Sequence, residues 1–81
     1  MEARHKREVQ IQFGKRLSAL LKKKKLSFRK LADRCDVDFS DIQKYEKGLK
    51  DLRLATIVEL ATGLGVHPSE LLNFDFEFLK K

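Results

Sequence analysis

The chain of 81 residues is predicted to fold as an all-α domain of five helices, on three observations. Apolar residues recur at helical spacing in separate blocks from Val9 onward. Start and stop residues punctuate those blocks, with Ser27, Asp38 and Pro68 ahead of helices and Gly48 and Gly65 behind them. Sustained period-two alternation is confined to Phe74–Leu79. Val9, Ile11 and Phe13 also alternate with glutamine, but the longer helical period overrides that local pattern.

The opening residues 1–8 are polar and basic with nothing to bury, and read as a flexible arm or the frayed start of a helix. A domain over 9–73 follows. In the first helix Val9, Phe13, Leu17, Leu20 and Leu21 line one face, and Gly14 in its interior implies a close packing contact. Lys22–Lys25 close that helix, where positive charge complements the macrodipole whether or not it also meets a polyanion. The fourth helix carries Leu54, Ile57, Val58, Leu60, Ala61 and Leu64, apolar over much of its circumference, which places it in the core. A fifth starts at His67-Pro68, where the missing proline N–H costs nothing, and turns Leu71 and Leu72 inward.

Between these lies the unit that the rest serves, Leu26–Gly48. Ser27 caps a helix with the apolar face Phe28, Leu31, Ala32 and Cys35, and after a break at Asp36-Val37 the next cap is Asp38. Two short helices joined by a tight turn make a helix-turn-helix. In the second, Ile42 and Tyr45 are an inward pair, with Asp38 and Asp41 as a capping-box-like pair at its start. Phe39, Ser40, Gln43 and Lys44 then point outward. Amide, hydroxyl and ammonium groups on one such face suit the donor and acceptor edges of base pairs in a major groove.

Charge is unevenly spread. Residues 1–30 carry eleven Lys or Arg against two acids, a net of +9, and residues 31–81 carry seven against ten, a net of −3. A basic front and a mildly acidic back fit one face toward a polyanion and another toward a protein mate. Cys35 is the lone cysteine and falls on an inner helix face, so it reads as a core residue with no disulfide or thiolate metal site in view. No cofactor is implied, and no glycine-rich phosphate loop or nucleophile with an evident base suggests an enzyme. No apolar run reaches the length of a membrane span, so the expected location is the cytoplasm. The tail 74–81 holds three phenylalanines in alternation with acids, and covers the core or pairs with another chain as a strand or a continued helix.

Phe13-Gly14 and Leu17, then Leu26-Ser27 and Leu31-Ala32, then Val37, Ile42, Glu46 and Gly48 occur in an order and spacing continued by Ile57, Leu60-Ala61, Leu64-Gly65-Val66 and Leu71-Leu72. In that combination, over roughly Phe13 to Leu72, the chain resembles the lambda-repressor and Cro-like helix-turn-helix DNA-binding family. The resemblance implies a five-helix DNA-binding domain, with a short C-terminal extended segment as a possible addition. Three positions depart from the family pattern. Phe28 stands where relatives carry a phosphate-binding Gln, Leu21 where an Arg pairs with Glu46, and Asp36 where a turn glycine is usual, which implies a left-handed aspartate at a cost of about 1 kcal/mol.

What the resemblance implies for function is a homodimeric transcriptional regulator on a roughly palindromic double-stranded DNA operator. Base readout falls to Phe39, Ser40, Gln43 and Lys44, with Lys44 toward guanine and Phe39 toward a thymine methyl. Phosphate contacts fall to Arg16, Arg29, Lys30, Lys47, Lys50 and Arg53. Dimerisation falls to Leu71, Leu72, Phe74, Phe76 and Phe78. The alternative is an antitoxin-like or adaptor module that holds a toxin or other protein through its tail.

Overall fold

The computed structural model describes residues 3–77 and contains four α-helices: α1 (Ala3–Lys24), α2 (Phe28–Arg34), α3 (Phe39–Glu46) and α4 (Leu54–Leu64), with a 3₁₀ turn over Pro68–Leu72. The expected fifth α-helix is that 3₁₀ turn. Its backbone bonds run from the Glu70 N–H to the His67 carbonyl and from the Asn73 N–H to the Glu70 carbonyl, one residue tighter than an α-helix. The first helix also starts far ahead of Val9. Of the two readings of this segment, a flexible arm or the start of a helix, Ala3–Glu8 takes the second, supported by an i,i+4 bond from Gln12 Nε2 to Glu8 Oε1 at 3.0 Å and an exposed pair between Lys6 and Asp51.

One core organises the helices. Phe13, Leu17, Leu20 and Leu21 of α1 meet Leu31, Ile42, Tyr45, Leu60, Ala61, Leu64 and Leu71, all buried. Long α1 crosses α3 and the 3₁₀ turn, while α2 packs on α4 and α3. The contact implied by Gly14 is with the C-terminal end of α3. A Cβ there would run into the Glu46 carbonyl oxygen and lie 2.8 Å from the Tyr45 carbonyl oxygen, so only glycine lets the two backbones meet.

Three helices end alike. Leu26 N–H reaches the Leu21 carbonyl at 2.9 Å, Leu49 N–H the Lys44 carbonyl at 2.9 Å, and Val66 N–H the Ala61 carbonyl at 3.0 Å, each following a left-handed residue. Two of those residues are Gly48 and Gly65; the third is Lys25, at φ 56°. Strain of about 1 kcal/mol therefore sits at Lys25. Asp36, where the resemblance implied it, has no positive φ. The turn closes instead by a bond from the Asp36 N–H to Glu59 Oε1 of α4 at 3.0 Å.

Two further expectations are corrected here. α4 is not core all round, since Leu54 is 77% exposed and Val58 43% exposed, one turn apart. Leu71 is wholly buried at 0% exposure, a core residue with no surface to offer a partner. The tail holds neither a strand nor a continued α-helix as far as Glu77, and Phe78 lies outside the described residues. Phe74 packs partly against the core and its ring stacks on Phe76, with centroids 4.6 Å apart.

Candidate nucleic-acid interface

α3 is short because Asp38 starts it and Gly48 stops it, and it is amphipathic because only Ile42 and Tyr45 are buried. Those two side chains anchor it against α1 and α2. Ser40, Lys44 and Lys47 are exposed on the other side, with Phe39 and Gln43 half-buried at its flanks. Lys44, Lys47 and Arg53 have no carboxylate partner among the described residues. None of the three is tied up in an ion pair among those residues, although the Asp41 carboxylate is near enough to Lys44 to feel its charge.

The start of α3 is braced by α2. Ser27 accepts a bond from the Lys30 N–H at 3.1 Å, as a cap should, which fixes the first turn of α2. Arg29 in that turn lies over the Phe39 ring, 4.4 Å from its centroid. One face of Phe39 is thus covered by a cation, and both residues are presented together at the N-terminal end of α3.

The aspartates of α3 do not form the capping pair. Asp38 has the cap's backbone conformation but makes no side-chain cap bond. Asp41 accepts instead from Lys50 Nζ at 2.8 Å, across the loop that follows the helix. That bond holds the Asp41 carboxyl below the usual carboxylate range and pushes the Lys50 ammonium above its ordinary value. Lys50 also lies 5.7 Å from the centroid of the Tyr45 ring. A cation expected on phosphate is engaged at home.

Arg16 is turned to a different task. Its Nε donates to the Glu70 carbonyl at 2.6 Å and its terminal nitrogen to Glu70 Oε1 at 2.8 Å, so it fastens α1 to the 3₁₀ turn rather than facing phosphate. Glu46 forms no ion pair among the described residues, and Leu21, at the position of the family's partner arginine, is core. Cys35 is half-buried, its thiol donating to the Leu31 carbonyl at 3.2 Å with its pKa raised by burial. No group of His, Cys, Asp and Glu among the described residues can hold a metal ion. Nor is any helix of these residues long and apolar enough to cross a membrane.

Of the residues expected at a protein contact, Leu72 and Phe76 are exposed, Phe74 is half-buried and Leu71 is lost to the core. Leu54 and Val58, expected in the core, join Leu72 and Phe76 on the surface. The signal was present in the breadth of the apolar arc on α4, which exceeds what a single core-facing stripe needs.

A small helical domain that anchors one short helix by two buried side chains and turns its cationic face outward, between basic flanks, defines a helix-turn-helix DNA-binding regulator of transcription. The chain belongs to the lambda-repressor and Cro-like helix-turn-helix family, whose helix-turn-helix model matches residues 17–71. It is 33% identical over 67 residues to the control protein C.BamHI of Bacillus amyloliquefaciens, covering 82% of this chain and 83% of that protein. The high-resolution crystal structure of the restriction-modification controller protein C.AhdI from Aeromonas hydrophila superposes with a TM-score of 0.74. That match has 37% identity and covers 76% of this chain and 94% of the other.

Proposed function

We propose that the chain is a controller-type transcriptional regulator that binds a roughly palindromic operator as a homodimer. The observation that carries this reading is the outer face of α3 and its C-cap, where Ser40, Lys44 and Lys47 stand exposed and neither lysine forms an ion pair among the described residues. Phe39, Ser40, Gln43 and Lys44 read base edges in the major groove, with Lys44 directed to the acceptors of guanine and Phe39 to a thymine methyl. Arg29, Lys30, Lys47 and Arg53 hold phosphates on either side, and Lys50 joins them once it leaves Asp41. Likeness to one control protein and to one restriction-modification controller protein supports this role over that of a toxin-binding adaptor.

The dimer face in this proposal is α4 with the exposed tail. Leu54, Val58, Leu72 and Phe76 are four of the five large apolar side chains exposed among the described residues, the fifth being Leu49 on the loop after α3. A dimer reading a roughly palindromic operator places its two α3 helices about 34 Å apart, so operator half-sites lie about one helical turn apart. Such a regulator works in the cytoplasm, with the DNA. The test is enrichment of bound duplexes from a random pool, with sedimentation of the free protein. A two-fold repeated sequence and a dimer are expected; enrichment of nothing defeats the reading.

A further inference from the structure

The last turn of α1 and the residue after it, Lys22–Lys25, are four consecutive exposed lysines, and none pairs with a carboxylate among the described residues. Three of them already lie in the last turn, where positive charge complements the helix dipole. The fourth adds little to that and is badly placed for it. Lys25 occupies the left-handed position that Gly48 and Gly65 occupy at the two other ends of the same type. Glycine ends a helix there without strain, so lysine at this position costs local stability.

The run also has a defined location. Two residues beyond Lys25, Ser27 caps α2, and Arg29 in that first turn lies over Phe39, the first residue of α3. Lys22–Lys25, Arg29 and Lys30 therefore form one basic edge leading away from the N-terminal end of α3. Lys47 and Arg53 lie beyond its C-terminal end. Four adjacent ammonium groups repel one another, weakly in water and salt, and a polyanion lying against them relieves that repulsion.

From this we propose that Lys22–Lys25 are a second phosphate-binding surface, which holds the DNA backbone outside the half-site read by α3. The inference rests on the DNA-binding reading above. It extends the footprint of each subunit beyond the bases it reads, and it makes the bound length of DNA part of the affinity.

A duplex enriched by the unaltered protein is synthesised at two lengths, one ending at the outer base pairs of its half-sites and one extended by about ten base pairs, one turn, on each side. Three variants are compared by anisotropy titration and thermal unfolding: Lys25→Gly, the combined Lys22→Gln, Lys23→Gln and Lys24→Gln, and the same three positions changed to Arg. Lys25→Gly is expected to unfold at higher temperature yet bind the long duplex more weakly. The Gln variant is expected to flatten the log–log salt slope on the long duplex by about 0.9 for each phosphate it no longer neutralises. On the short duplex both match the unaltered protein, and Arg restores binding to the long one. Unchanged affinity of both variants on the long duplex overturns the proposal while leaving DNA binding intact, and equal weakening on both lengths overturns the placement outside the half-site. Failure of the unaltered protein to enrich any duplex strikes the underlying reading itself, and the inference falls with it.

Discussion

Arg16 grips Glu70 twice, its guanidinium donating at 2.6 Å to the backbone carbonyl and at 2.8 Å to the carboxylate. The Glu70 carbonyl in an α-helix would take an N–H four residues on; here it serves Arg16 and the Asn73 N–H, and the segment stays a 3₁₀ turn. Fastening the turn seats Leu71 in the core. Arg16→Ala is expected to lower unfolding free energy by about 2 kcal/mol, the range for charge-assisted bonds with partial exposure. Urea unfolding measures this, and anisotropy on DNA should show little change while the variant is folded. A large drop in salt-dependent affinity with stability unchanged would return Arg16 to the phosphate-binding set.

Gly14→Ala tests how closely α1 and α3 approach. The added Cβ meets backbone, not a side chain that can swing away, so α3 must move or tilt. A loss of about 3 kcal/mol is expected, at the upper end of overpacking effects. Unfolding midpoints decide it, and because α3 itself shifts, the variant should bind its operator less well even under conditions where it is folded.

Lys44→Ala addresses base readout. The side chain is exposed and unpaired, so stability should hardly change. Affinity for an enriched operator should fall by about 1 to 3 kcal/mol, with preference relaxed at one base pair. Competition against single-position operator variants measures both. A uniform loss on every sequence would make Lys44 a phosphate ligand.

Leu54→Glu places a charge on the most exposed large apolar side chain of the described residues. Sedimentation should find a monomer where the unaltered protein is a dimer, with an unfolding midpoint lower only by the missing association. Val58→Glu should act in the same direction. If both variants sediment as the unaltered protein does, the dimer face lies elsewhere.

The pair of Asp41 and Lys50 links acid stability to DNA binding. Asp41's folded pKa is depressed, so its contribution is fully present above the unfolded value of about 3.9 and is lost as pH falls through the lower folded value. Lys50's is raised, so its contribution is present below about 10.4 and is lost only as pH rises past the folded value. Between these limits the pair is intact. Asp41→Asn should flatten the acid limb of a stability profile below about pH 4. At neutral pH it frees Lys50 from the bond that must otherwise break before it reaches a phosphate, so affinity for DNA should rise while the salt slope stays as in the unaltered protein. Unchanged affinity would remove Lys50 from the phosphate-binding set.

Local pattern was enough to read the helix-turn-helix. Ser27, Gly48, Gly65 and Pro68 act on the backbone within a few residues of themselves, and Ile42 with Tyr45 decides which side of α3 faces inward, so these features depend on short-range sterics and periodicity alone. Gly14 likewise announced a close approach, though not to what. Tertiary structure decided the rest, because each remaining feature depends on a partner distant in the chain. Arg16 is held by Glu70, the Asp36 N–H finds its acceptor on Glu59, and Asp41 takes its bond from Lys50 rather than from the cap. Leu54 and Leu71 are equally apolar, yet one is exposed and the other buried. Hydrophobicity says that a side chain will leave water if it can; only the arrangement of all the helices settles which ones the core has room for.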